Sequence, residues 1–102
     1  MSKHRYRTRL LKAAEEYLTE IVAYIAVDNP IAADQVATKI EKAISLLAEN
    51  PYLGRIPDDE KLVNLGYRFL IVQDYLTFYT IEERTILVHR IIHGARDYQR
   101  IL

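Results

Sequence analysis

Partway along this chain the spacing of apolar side chains changes from helical to alternating, and that change constrains the fold more than any single motif. From Lys12 to about Val27, Leu18, Ile21, Val22 and Ile25 recur at helical spacing. Ala14 and Tyr17 extend the stripe, with Glu15, Glu16 and Glu20 on or near its wet side. Asp28-Asn29-Pro30 then ends one helix and starts another. Asn29 suits an N-cap, and Pro30 suits the first helical position, where its missing N–H would have been unpaired anyway. The second helix runs to about Asn50 on a stripe of Val36, Ile40, Ile44 and Leu47, while Ala33, Ala37 and Ala43 allow close approach. So short a joint predicts an antiparallel helical hairpin.

Beyond Tyr67 the residues become β-branched and aromatic. Three runs, Tyr67–Gln73, Tyr75–Ile81 and Thr85–His93, are separated by turns at Asp74 and at Glu82-Glu83-Arg84. Such short connections predict an antiparallel meander. Residues 4–10 also alternate, with Arg5, Arg7 and Arg9 on one side and Tyr6, Thr8 and Leu10 on the other. The expected fold class is therefore α+β in a single domain spanning residues 1–102: an N-terminal strand, then a helical hairpin packed on an antiparallel sheet. Tyr98, Ile101 and Leu102 stand at i, i+3 and i+4, which predicts a short C-terminal helix. Between Asn50 and the first meander strand, two prolines and a glycine predict an irregular stretch of about 15 residues.

Composition narrows the chemistry. The absence of cysteine excludes a disulfide scaffold, a thiol nucleophile and thiolate metal sites. No apolar run reaches the ~18 residues of a membrane span, and the first residues lack the apolar core of a secretory signal, so a soluble cytoplasmic protein is expected. Net charge is zero but poorly mixed. Residues 1–14 carry five bases and no acid, residues 15–62 ten acids and four bases, and residues 63–102 five arginines and four acids. Such segregation allows a basic surface opposite an acidic one.

The last third gathers imidazole, guanidinium and phenol groups. Strict alternation puts Leu87, His89, Ile91 and His93 on one side of the last strand, and Ile86, Val88, Arg90 and Ile92 on the other. Both sides are mostly apolar, so the sequence does not decide which is solvated. Histidines four residues apart on an extended strand lie ~13 Å apart, too far to share a metal at ~2 Å. No metal or other cofactor is expected. The three glycines are isolated, and no serine or threonine sits in a nucleophile turn. Metal-free RNA cleavage needs only a base, an acid and a cation beside the phosphate. His89, His93, Tyr98, and Arg96 or Arg68 have the chemistry for those roles, and equally for an ordinary binding patch.

One series of short motifs runs through nearly the whole chain: Tyr6-Arg7-Thr8-Arg9-Leu10, Ile21-Val22-Ala23-Tyr24-Ile25, Asp28-Asn29-Pro30 before Ala32-Ala33, and Asn50-Pro51-Tyr52-Leu53-Gly54-Arg55. It continues through Tyr67-Arg68, Tyr75-Leu76-Thr77-Phe78-Tyr79, and His89-Arg90 to His93-Gly94-Ala95-Arg96-Asp97-Tyr98. In these motifs and their order the chain resembles the RelE/ParE superfamily of bacterial type II toxin–antitoxin toxins.

The resemblance implies a growth-arresting toxin of the kind associated with plasmid stabilisation, held in check by a cognate antitoxin. Acidic antitoxin side chains would meet Arg5, Arg7 and Arg9, and operator DNA would be reached only through the antitoxin. One branch of the superfamily inhibits DNA gyrase. The other is a metal-independent endoribonuclease that cuts mRNA on the ribosome. In that branch, arginines in the second meander strand and just after the last strand act with a C-terminal tyrosine. Here Arg96 takes the post-strand position, Leu76 stands where the second-strand arginine would be, and only Tyr98 is available as the tyrosine. The His-Gly-Ala-Arg-Asp ending resembles ParE-like members and favours gyrase inhibition. Under that reading Arg68, Arg90 and Arg96 contact the target. Under the ribonuclease reading Arg96, His93, His89 and Tyr98 are catalytic. A degenerate, non-toxic antitoxin-binding module is the remaining alternative.

Overall fold

The computed structural model describes residues 5–94. Strand β1 (Arg7–Leu10) leads into helices α1 (Lys12–Asp28) and α2 (Pro30–Glu49). A short helix α3 (Glu60–Asn64) precedes the meander β2 (Arg68–Val72), β3 (Tyr75–Glu82) and β4 (Thr85–His93). These strands form one sheet in the order β1-β4-β3-β2. The meander is antiparallel, whereas β1 lies parallel to β4, with Arg7 opposite Thr85 and Leu10 opposite Val88. The predicted C-terminal helix lies outside the described residues.

Asn29 alone joins the two long helices. Its N–H donates to the Ile25 carbonyl, closing α1, while its side-chain oxygen accepts from the Ala32 N–H at 3.0 Å, opening α2. Pro30 follows at the first helical position. The hairpin buries Ala14, Ile21, Ile40, Ile44 and Leu47 against Val72, Tyr79, Ile86, Val88 and Ile91 of the sheet. Leu76, Phe78 and Ile92, with Tyr67 and Phe69 packed beside them, form a smaller cluster on the opposite sheet face.

One residue reverses the predicted alternation in β4. Tyr79 pairs with Val88 but Phe78 pairs with Arg90, so His89 is an extra residue in the ladder. Such a bulge shifts every following side chain to the other face. Ile91 therefore joins Ile86 and Val88 in the helix-covered core, and His93 follows it to that side. His89 stays on the far side with Tyr67 and Thr80. The two histidines expected on one face lie on opposite faces.

The stretch after α2 is more ordered than its prolines suggest. Asp59 caps α3 by accepting from the N–H groups of Lys61 and Leu62, and Arg55 exchanges both backbone hydrogen bonds with Phe69 at the sheet edge. At the other end of the meander, Glu83 and Arg84 both have positive φ, the conformation a two-residue hairpin turn requires. Within the core, the Thr77 hydroxyl is fully buried and has no hydrogen-bond partner among the described residues. Thr77→Val removes that unpaired group at nearly constant shape and is expected to stabilise the fold by about 1 kcal/mol, read from urea unfolding.

Candidate functional surface

Because Tyr6 and Leu10 pack into the helix-side core, Arg7 and Arg9 emerge on the sheet face turned away from the helices. There they neighbour Thr85 and Leu87 of β4, and the bulge brings exposed Arg90 to the same face opposite Phe78. Arg5 departs from this row: it reaches Glu49 at the end of α2 in an exposed 3.8 Å ion pair, an interaction that contributes little to stability. The acidic helices thus cover one face, and guanidinium groups beside aromatic rings mark the other.

His89 is the half-buried titratable group of that basic face. Its Nε2 lies 2.9 Å from the Thr80 hydroxyl, its Nδ1 lies 3.4 Å from the Tyr67 hydroxyl, and the Tyr67 ring stands edge-on at 5.0 Å. Burial holds the imidazole pKa below its usual 6.5, nearby Glu82 opposes this, and Arg90 reinforces it. The unfolded chain consequently takes up this proton at a higher pH than the folded one. Stability at this site is complete above about pH 6.5 and falls as the pH drops through the folded-state value. His89→Gln should flatten that fall, measured as urea midpoints at about pH 7 and pH 5.5.

Arg68 and His93 lie on the helix side. Arg68 Nη1 donates to the carbonyls of Tyr52 at 3.2 Å and Gly54 at 3.0 Å, and the guanidinium lies 5.0 Å from the Tyr52 ring centre. Gly54 N–H donates to the Tyr79 hydroxyl at 2.9 Å, and that hydroxyl donates to the Pro51 carbonyl at 2.8 Å. Burial raises the Tyr79 phenol pKa, with the Gly54 hydrogen bond and Arg68 acting in the opposite direction. Arg68 and Tyr79 together pin residues 51–54 to the sheet. His93 stacks obliquely on Tyr75, ring centres 5.1 Å apart, and lines a groove against α1. Arg96 and Tyr98 lie outside the described residues.

The structure thus brings Arg7, Arg9, His89 and Arg90 to one face and separates Arg68 and His93 from them. Sequence reasoning missed the Thr80–His89–Tyr67 set, because a bulge leaves no spacing signal. It also missed the loop latch, whose only trace is a glycine between two prolines. Among the described residues, no group of three or more His, Cys, Asp or Glu is arranged to hold a metal ion. No described helix is long and apolar enough to cross a membrane.

This fold is similar to that of toxin–antitoxin structures. A chain of the chromosomal ParDE system from P. aeruginosa superposes with a TM-score of 0.74 at 18% identity, covering 91% of this chain and 100% of that one. A chain of the RelBE2 toxin–antitoxin complex from Mycobacterium tuberculosis gives 0.62 at 21% identity, covering 92% and 97%. No curated protein matches the sequence. The fold is that of the RelE/ParE superfamily. Residues 8–98 match the model of the ParE toxin of the type II toxin–antitoxin system parDE, and the chain belongs to that family.

Proposed function

We propose that this toxin arrests growth by binding DNA gyrase and is neutralised by a cognate antitoxin whose acidic side chains meet Arg7 and Arg9. The family match over residues 8–98 carries this reading. Leu76 supports it: the position of the ribonuclease arginine holds a side chain 4% exposed and packed with Phe78 and Ile92. An arginine there would bury a charge with no partner, so this strand position is committed to the core. Arg68 is likewise engaged by backbone carbonyls, and His93 lies across the sheet from His89. In this reading Arg90 and Arg96 contact the target, the protein acts in the cytoplasm, and it reaches operator DNA only through the antitoxin.

One observation favours mRNA cleavage as a second reading. His89 has its pKa lowered, is held between two hydroxyls and sits beside exposed Arg90, a pairing suited to a general base next to a phosphate. Arg96, Tyr98 and His93 would then have to complete the site. Inducing the chain alone in bacteria, with pulse-labelling of DNA and protein synthesis, tests both. Early loss of DNA synthesis with intact mRNA is the expected result. Early loss of protein synthesis with mRNA cut at codon positions would replace gyrase by the ribosome, and unimpaired growth would mean a degenerate antitoxin-binding module.

A further inference from the structure

Along the outer side of α1 runs a groove of about 470 Å³ between the helix and the ends of β3 and β4. Tyr17, Ile21, Tyr24 and Ile25 form its helix wall, Tyr75 and His93 its sheet wall, and Glu20 stands at its edge. Tyr17, Glu20 and His93 also line a second depression that extends the groove past Glu16 to Arg90. At the opposite end, Tyr24 and Val27 are 83% and 84% exposed, the two most exposed large apolar side chains among the described residues. Isolated apolar side chains on a surface need no explanation, but here they prolong an apolar groove.

The charge around the groove has one sign over most of its length. Glu16 and Glu20 follow its helix wall and Asp28 ends the helix, and neither glutamate has an ion-pair partner among the described residues. Arg90 stands only at the far end. Tyr17, Ile21 and Tyr24 recur at i, i+4 and i+7, so apolar anchors one helical turn apart on a partner would match them.

We propose that this groove docks a helical protein segment with an apolar stripe flanked by lysine or arginine. A two-fold contact with a second copy would set unpaired carboxylates against each other, and anionic phosphates would meet the same repulsion. The groove lies on the opposite side of the sheet from Arg7 and Arg9, so a basic segment here and an acidic one there can be bound together. The inference does not depend on which cellular target the toxin attacks.

Fluorescence anisotropy on the full chain at about 0.15 M salt tests it. The probe is a labelled peptide of roughly 18 residues, long enough to form a helix, with leucine at i, i+3, i+4 and i+7 and lysine elsewhere. Its counterpart carries glutamate for lysine. The lysine peptide should bind saturably and the glutamate peptide should not. Tyr24→Ser with Val27→Ser should weaken binding about tenfold or more, and Glu16→Gln with Glu20→Gln should weaken it as well. All four side chains lie on the surface, so unchanged circular dichroism melting will show that the variants fold. Absence of saturable binding, or binding indifferent to both variants, overturns the proposal. So does self-association abolished by Tyr24→Ser with Val27→Ser, which would assign the face to a second copy. Competition by a peptide of residues 95–102 would assign it to the chain's own C-terminus and would also overturn the proposal.

Discussion

Replacing Gly54 by alanine is expected to destabilise the protein by about 2–4 kcal/mol, combining overpacking with broken hydrogen bonds. A Cβ at this position would stand 2.6 Å from the Tyr79 hydroxyl oxygen, 2.7 Å from its Cε1 and 2.9 Å from the Phe69 carbonyl oxygen. Neither neighbour can yield at low cost. Tyr79 is fully buried, and its hydroxyl is engaged by both Gly54 and Pro51. The Phe69 carbonyl is backbone and accepts from Arg55. In a domain of this size such a loss lowers the melting temperature by roughly 10–25 °C. Tyr79→Phe removes one side of the clash while leaving the Gly54 N–H and the Pro51 carbonyl unpaired. The double variant should therefore be less destabilised than the sum of the two single ones. Full additivity in urea unfolding would show that the two residues are not coupled.

Reversing the charges of Arg7 and Arg9 to glutamate is expected to weaken antitoxin binding about 100-fold or more, because like charges facing each other across an interface cost several kcal/mol. Both side chains are exposed on an edge strand, so the fold should tolerate the change. Surface plasmon resonance at two salt concentrations will separate slower association from faster dissociation. Steering by the arginine pair predicts an on-rate that falls with salt in the wild type, and a slower one that rises with salt in the variant as the new repulsion is screened. An unchanged affinity would remove these arginines from the antitoxin interface.

The helical hairpin was legible residue by residue. Its stripes are continuous, and Asn29-Pro30 carries both a stop and a start signal, so local chemistry and tertiary packing agree. The meander was legible for the same reason. The parallel pairing of β1 with β4 was not, because side-chain alternation is the same whichever neighbour a strand takes and whichever way that neighbour runs. The bulge at His89 was hidden more deeply. It is a mismatch between two strands, two residues against one, and neither strand carries it alone. That single mismatch separated His89 from His93. Arg7 and Arg9 share one side of β1 as the alternation predicts, but Arg5 lies before the strand and turns to Glu49, whose proximity depends on where α2 ends. Arg68 was read as a cation for a phosphate or the target, since nothing in Tyr67-Arg68 announces that Tyr52 and Gly54, far back in the chain, will present their carbonyls to it.

The strand order also sets a timetable for assembly. The hairpin closes on contacts between neighbouring segments, whereas β1 must wait for β4, the last strand described, to supply its ladder. Pairings so distant in sequence carry the largest loop-closure cost and form late. A nascent chain can thus build its helices while its first strand has nowhere to go. The face that unites Arg7 and Arg9 with His89 and Arg90 comes into being only once residue 93 has been added. Premature termination anywhere upstream would leave those cations without a common face.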